Sequence, residues 1–306
     1  METFYKYSKY HGISSLIEPT IRLSPAKSLN DPFENKLNHK IKQSLMDNIS
    51  ASEIGFEIDK LFSSYFQQSY LMDRIQLEVD YYGIVSLTET PRNILMWAHY
   101  ADEHRGVCIG YKNNFFDSLR NKSVDSISKA ERYTPVKINY DNLRPQVISE
   151  EISIDEKLKA YVYQQLTTKS DEWIYEKEHR CIIPIKWADE VKIMKGSDAD
   201  IDMGKIQQIQ DLVKGPNVTK NENGSYVGEG LLPVIDFFKT YKGALFLKKI
   251  KKESIVSIHL GCRLNHDSKN EIISTVADKE NGLSHVKVFE CEPSQDRFEI
   301  TAKRIL

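Results

Sequence analysis

Apolar and polar residues alternate over short runs towards both ends of the chain, and between them the apolar positions recur at helical spacing. A period of two marks a strand with one buried face; recurrence at three and four residues marks a helix. FYKY at 4–7 predicts a short aromatic-rich first strand, and TIRLSP at 20–25 predicts a second, stopped by proline. HGISSLIE between them predicts a short helix ended by Pro19. Residues from about 38 to 79 hold no proline and one glycine, and their apolar spacing predicts two or three helices. YYGIVSLTET predicts a strand at about 82–88, PRNILMWAHYADEH a short helix with proline in its first turn, and RGVCIGYKNN a further strand. NKSVDSISKAERYTP reads as a polar loop, VKINYD as a short strand, and 150–173 as one long helix. CIIPIKW at 181–187 predicts a strand that Pro184 places at a sheet edge or a bulge. ALFLKK, IVSIHLG, HVKVFEC and RFEITAKRI predict four more strands, with a helix at about 268–278.

Many short strands with helices grouped between them, rather than strictly alternating, predict an α+β fold with mixed, largely antiparallel sheets. The expected organisation is one domain over 1–306. It carries a helical insertion at about 38–79, a polar excursion at about 189–230, and a C-terminal strand-rich part at 243–306 that packs on the core. Neither GxGxxG nor GxxxxGK[ST] occurs, so the common nucleotide-binding loops are absent from the sequence.

Composition narrows this only slightly. Hydrophobic residues at 40% and charged residues at 28% are ordinary for a soluble globular chain. A net charge of −2 sets up no strong overall field towards nucleic acid or a membrane surface. A local basic patch, KYSK near the N-terminus together with Lys248, Lys249, Lys251 and Lys252, is left open as a phosphate-backbone track. No apolar stretch reaches the length of a membrane span and METFYKYSKYHG lacks a signal-peptide apolar core, so the cytoplasm is the expected location. Cys108, Cys181, Cys262 and Cys291 form no CxxC pair and read as reduced thiols, mostly buried.

The candidate chemistry centres on EWIYEKEHRCIIPI, where Glu176 and Glu178 stand at the mouth of an apolar run. In an extended segment residues i and i+2 face one side, so the two carboxylates are expected to share a face and to raise each other's pKa. Such a pair suits a ribose hydroxyl, a cationic sugar transition state or a metal; a solvated turn neutralised by Lys177, His179 and Arg180 is the plainer alternative. SLTET places Ser86, Thr88 and Thr90 on one strand face. NDPFE, with Asn30, Asp31 and Glu34, is a turn by composition that can also wall a cleft. Trp97 and Tyr100 on the short helix suit core packing, and His99 points elsewhere.

Four pieces, YKYSK…IRLSPAKSLNDPFE, GIVSLTE, MWAHYADEHRGVCIGY and W-x-YEKEHR, resemble a bacterial family, domain of unknown function 2971. IVSIHLGCRLNHD resembles that family's strand-plus-glycine segment, and the resemblance spans nearly the whole chain. More distantly, the order of landmarks resembles mono-ADP-ribosyltransferases: a cation on an early strand, a hydroxyl-bearing strand, then ExE opening a late strand. That resemblance implies an ADP-ribosyltransferase-like core, NAD as substrate, and a nucleic-acid or protein acceptor. It implies a bacterial toxin or anti-phage effector with an antitoxin or defence-system partner, and no membrane.

It implies Glu178 as the catalytic carboxylate at the nicotinamide-side ribose and Glu176 as the group that orients or deprotonates the acceptor. Ser86 and Thr88 would support the nicotinamide pocket, and Lys6 or Arg22 the pyrophosphate or adenosine ribose. Tyr7, Trp97 or Tyr100 would stack on nicotinamide, while Asn30, Asp31, His99 and Arg180 complete the expected NAD site. The sequence departs from the pattern at the first landmark, where Lys6 stands in place of Arg or His. Two alternatives remain: a non-catalytic nucleotide- or nucleic-acid-binding regulatory module, and a metal-dependent nuclease using Asp31, Glu34, Glu176 and Glu178.

Overall fold

The alternating runs become strands of one extended sheet in the computed structural model. It describes residues 2–34, 73–126, 128–144, 153–194, 218–222, 224–239 and 243–306, with a few isolated positions between them. In the first half these are β1 (Thr3–Ser8), α1 (Ser14–Ile17), β2 (Thr20–Pro25), β3 (Tyr82–Thr88), α2 (Ile94–Tyr100), β4 (Val107–Lys112), β5 (Arg132–Lys137) and β6 (Asn139–Tyr140). Then follow α3 (Ile154–Thr167), β7 (Thr168–Lys169), β8 (Glu178–Pro184), β9 (Glu190–Ile193), β10 (Thr219–Lys220) and β11 (Ser225–Val227). The last are α4 (Leu231–Phe238), β12 (Ala244–Lys249), β13 (Ile255–Leu260), α5 (His266–Ala277), β14 (Lys287–Pro293) and β15 (Ile300–Arg304). Nearly all of the predicted helical insertion at 38–79 lies outside the described residues, and 73–80 is helical.

The main sheet runs β10-β11-β9-β12-β2-β3-β1-β4-β13-β14-β15, with β8 added to β3 and β5 to β8. Its pairs are antiparallel except β13–β14, which α5 connects as a parallel crossover. β6 and β7 form a separate short parallel pair. Mixed α/β architecture with a large, mainly antiparallel sheet therefore agrees with the pattern along the chain.

β3 organises the middle. β8 pairs with it along its whole length, from Tyr82↔Pro184 to Thr88↔Glu178. The opposite edge is shared: β2 meets β3 at Gly83 and Ile84, and β1 meets it at Thr88 alone. The sheet thus splits along that edge, and Lys6 Nζ donates to the Ser86 carbonyl between the two contacts at 3.1 Å. Gly83 permits the close β2 contact, because a Cβ there would lie 2.5 Å from the Leu23 Cβ.

Alternation along these strands sorts side chains into separate cores. Phe4, Leu23, Val85, Leu87, Cys181 and Ile183 belong to the largest. Tyr82, Ile84 and Ile182 point the other way and pack with Tyr161, Val162 and Leu166 of α3. Tyr7, Met96, Trp97, Cys108 and Cys291 form a third beside α2. All four cysteines are free, and three are buried.

Several expectations are corrected. β8 is an interior strand between β3 and β5; Pro184 is tolerated because it is the last paired residue. α3 starts at a capping box of Ser153 and Glu156 and stops at Thr167, well short of Trp173. The chain turns there because Thr168 and Lys169 pair with β6 and because Asp171–Glu176 tightens into a 3-10 helix. RYTP, read as loop, forms most of β5, whose register shifts between Arg132 and Val136 around its proline. The polar excursion supplies β9, β10 and β11 to the sheet, while 195–207 and 209–217 lie outside the described residues. α4 was not anticipated, since LLPVIDFF is apolar on most sides and carries a proline; Leu231, Val234, Ile235 and Phe238 are buried.

Candidate functional site

Lys177, between the two glutamates, adopts the left-handed conformation at φ 45°, ψ 47°. Glu176 therefore ends the 3-10 helix while Glu178 opens β8, and the pair is not on one face of an extended segment as expected. The turn instead brings both carboxylates onto Lys169 from different directions. Lys169 Nζ donates to Glu176 Oε2 at 2.7 Å and reaches Glu178 Oε2 at 3.5 Å, with the Trp173 ring 4.4 Å away. The left-handed backbone of a non-glycine residue is unfavourable by itself, so the buried ion pairs hold it.

Arg180, two residues along β8, clamps Glu178 with two hydrogen bonds, Nε to Oε1 at 2.8 Å and Nη2 to Oε2 at 2.9 Å. Its Nη2 also binds Glu34 Oε1, and its Nη1 caps the Leu166 carbonyl at the C-terminal end of α3. The Ser86 hydroxyl is near enough to Glu178 to help lower its pKa. A carboxylate offers about four acceptor sites, and three donors reach them here: Arg180 Nε, Arg180 Nη2 and, more distantly, Lys169 Nζ. Burial alone would raise the Glu178 pKa, but the Arg180 charge and hydrogen bonds, with Lys169, bring it down to about 2. Arg180 is moved up by the two glutamates against the effect of burial, and Lys169 likewise.

The other end of the network runs through α2. Asn30 donates to the Tyr100 hydroxyl, which donates to Glu176 Oε1. Asn30 and Glu34 belong to the same loop, so the polar contacts close a ring: Asn30, Tyr100, Glu176, Lys169, Glu178, Arg180, Glu34. Gln165 of α3 pins this loop by donating to the carbonyls of Phe33 at 3.0 Å and Glu34 at 2.6 Å. Asp31 shapes it from within, its Oδ1 accepting from the Phe33 amide at 2.8 Å.

A cleft of about 290 Å³ opens on this loop, lined among others by Asp31, Phe33, Glu34, Arg144, Gln165 and Lys169. Glu176 and Glu178 sit behind Lys169 and Glu34, not on its wall. Asp31 and Glu34 are each 3% exposed, and Oδ2 of the first and Oε2 of the second have no hydrogen-bond partner among the described residues. Burial raises the Glu34 pKa, with the Glu178 charge adding to it, and Arg180 only partly offsets the rise.

Of the expected site residues, Asn30, Asp31, Ser86, Tyr100, Glu176, Glu178 and Arg180 come together at the ring or the cleft. Thr88 lies opposite Glu178, wholly buried, its hydroxyl without a partner among the described residues. Lys6 is near enough to feel Glu178, Arg22 and Cys181; burial, then Arg22, lowers its pKa to about 8. Trp97 is fully buried, edge-on to Tyr7, and bonded to the Pro91 carbonyl. Tyr7 is also buried, donating to the Thr90 carbonyl and accepting from the Asn93 amide. Neither ring presents a face for stacking in this structure. His99 is exposed on α2 beside Tyr175.

The basic patch is partly spoken for: Lys248 is buried against Asp189 at 2.7 Å, and Lys249 lies 3.6 Å from Glu190. Among the described residues no three His, Cys, Asp or Glu side chains are grouped to hold a metal ion, and no helix is long and apolar enough to cross a membrane. Lys169, Gln165, Arg144 and Phe33 were not singled out from the sequence. Lys169 read as a polar helix end, and nothing local marks it as buried.

No curated protein and no solved structure matches the chain. Residues 96–181, from within α2 to within β8, match the model of the family described as "Protein of unknown function (DUF2971)". That segment carries Tyr100, Lys169, Glu176, Glu178 and Arg180, five members of the closed ring, and the match supports placing the chain in that family.

Proposed function

We propose that the chain is an ADP-ribosyltransferase-like enzyme that transfers ADP-ribose from NAD to a macromolecular acceptor, nucleic acid or protein. The observation that carries this reading is the meeting of the three landmarks. Ser86 and Thr88 of β3 stand opposite Arg180 and Glu178 of β8, the Ser86 hydroxyl is near enough to help lower the Glu178 pKa, and Lys6 donates to the Ser86 carbonyl and feels the same carboxylate. In the reaction the C–N bond between ribose C1′ and nicotinamide breaks, and its electron pair leaves with the already cationic nicotinamide. A lone pair of the acceptor forms the new bond to C1′. The transition state resembles an oxocarbenium ion, as in glycoside hydrolysis.

Held by Arg180 and Lys169, Glu178 acts through its charge. A pKa of about 2 keeps it ionised at neutral pH, and Arg180 and Lys169 fix its position. Such preorganised charge is a large source of transition-state stabilisation. Glu176, hydrogen-bonded to Tyr100 and Lys169, is the group that takes the acceptor proton, with Tyr100 as its link towards the surface. The test is labelled NAD incubated with cell extract and the wild-type chain or Glu178→Gln. Labelling by wild type that falls at least about 100-fold in the variant supports the reading; equal labelling removes Glu178 from the chemistry.

One observation favours a second reading. Three donors on Glu178 and its burial suit a structural brace, in which case the chain is a non-catalytic nucleotide-binding regulatory module. Saturable binding of NAD by wild type without any label transfer would decide for it.

A further inference from the structure

We infer that the cleft beside the 30–34 loop binds a ribonucleotide through its ribose diol, with Asp31 and Glu34 as the acceptors. The inference rests on the transferase reading for the choice of an adenine nucleotide, and its test is separable from that reading. The starting point is an imbalance of hydrogen bonds. Asp31 and Glu34 are each 3% exposed, and each has one carboxylate oxygen with no partner among the described residues. Unpaired buried polar atoms are costly, so an acceptor of this kind calls for a donor that the described residues do not supply, and a ligand in the cleft can provide it. Two acceptors on one four-residue turn suit two vicinal hydroxyls, the pattern by which an acidic side chain recognises ribose in other nucleotide sites.

The rest of the lining fits a nucleotide better than a cation. Arg144 lies at the same cleft, its guanidinium 5.7 Å from the Phe33 ring and close enough to Asp31 to feel its charge. A guanidinium or ammonium ligand would meet that like charge, whereas a neutral diol joined to a phosphate would not. Phe33 is 57% exposed at the rim, an unusual place for a phenyl ring, and offers a face to a base. About 290 Å³ lies just under the usual range for small-molecule pockets, room for one nucleoside and not for a whole dinucleotide. Glu34 joins this surface to the ring through Arg180, so the diol would be held one residue away from the charge of Glu178. The ribose-binding carboxylates are then Asp31 and Glu34, and Glu178 touches no ribose hydroxyl.

The experiment is isothermal titration of the full chain with adenosine 5′-monophosphate, with its 2′-deoxy counterpart, and with methylguanidinium. The expected result is saturable binding of the ribonucleotide and about tenfold weaker binding of the deoxy form, from the loss of one hydroxyl to a charged acceptor. Asp31→Asn and Glu34→Gln should each weaken the ribonucleotide and narrow its advantage over the deoxy form. Phe33→Ala, at an exposed position that does not threaten folding, should weaken both nucleotides alike. Equal affinity for the two nucleotides, or binding of methylguanidinium with none of the nucleotide, overturns the inference. Full NAD labelling by Asp31→Asn and Glu34→Gln would also overturn it while leaving the transferase reading standing. Ribose-dependent binding without any labelling would support it and remove that reading.

Discussion

Glu178 and Glu34 are equally buried and share one guanidinium, yet they are opposite in electrostatic character. Glu178, at the start of a strand paired on both sides, collects three donors, and its pKa falls to about 2. Glu34, on a turn, receives one arm of Arg180, keeps an unpartnered oxygen, and has a raised pKa. The ring of direct contacts holds three carboxylates, Glu34, Glu176 and Glu178, against two cations, Lys169 and Arg180, so one acid must carry the surplus charge. A satisfied buried charge braces a fold. An unsatisfied one at a cleft wall is a place for a ligand.

The harshest way to break the comparison is to remove the residue that joins its two halves. Arg180→Met leaves Glu34 and Glu178 buried, with Lys169 as the sole cation among the described residues in direct contact with Glu178. Stripping one partner from a buried ion pair typically costs about 3–5 kcal/mol, and urea unfolding of the full chain should show a loss of that size. A loss below about 1 kcal/mol would mean that the ring does not brace the β8–α3 junction.

The next test separates the two acids. Glu178→Gln removes a carboxylate whose folded pKa lies below its unfolded value of about 4.3. Its stabilisation is present above that unfolded value and is lost as pH falls towards 2, so the variant should be less stable than wild type by about 2–3 kcal/mol at pH 7 and converge with it near pH 2. Glu34 has the opposite sign. A raised folded pKa gives stability below the unfolded value that is lost as pH rises through the folded one, so at neutral pH the Glu34 charge works against folding. Glu34→Gln should leave the melting temperature at pH 7 unchanged or higher. Equal losses for both variants would erase the distinction on which the ligand argument stands.

How far this was legible in the sequence follows from what is local. The strand alternation of TIRLSP, the Asn-Asp-Pro turn, and the apolar run after Glu178 are short-range patterns; β2 and the 30–34 loop stand where they predict, while β8 starts and ends three residues ahead of the expected 181–187, whose last three residues form a 3-10 turn. Lys169 was not legible, because its burial depends on a helix stopping at Thr167 and on carboxylates arriving from a turn further on. Lys177 was misread for a related reason: an ExE in extended backbone has both acids on one face, and only the left-handed residue between them sends them separately onto one lysine. Arg180, read either as neutralising a solvated turn or as part of an NAD site, is almost fully buried and reaches across 146 positions to Glu34. Partners that distant in sequence leave no periodic trace.

The mildest test contrasts two lysines beside Glu178. Lys169 has its pKa raised by three carboxylates despite burial, while burial and the Arg22 charge bring the Lys6 amine down to about 8. The unfolded chain keeps the Lys6 proton up to about pH 10.4, so between pH 8 and 10 it binds more protons than the folded chain. Stability on account of Lys6 therefore rises with pH across that window. Lys6→Met abolishes the rise. It also removes the hydrogen bond to the Ser86 carbonyl, but a neutral amine still donates, so that loss is a constant offset and does not shape the curve. Melting temperatures of both chains at pH 7 and 9.5 cancel the cysteine and tyrosine titrations common to the two. The wild type should gain on the variant over this interval, by less than the effects at Arg180 and Glu178. Parallel curves would mean that Lys6 is solvated at the split of the sheet, and that the first landmark carries an ordinary surface amine.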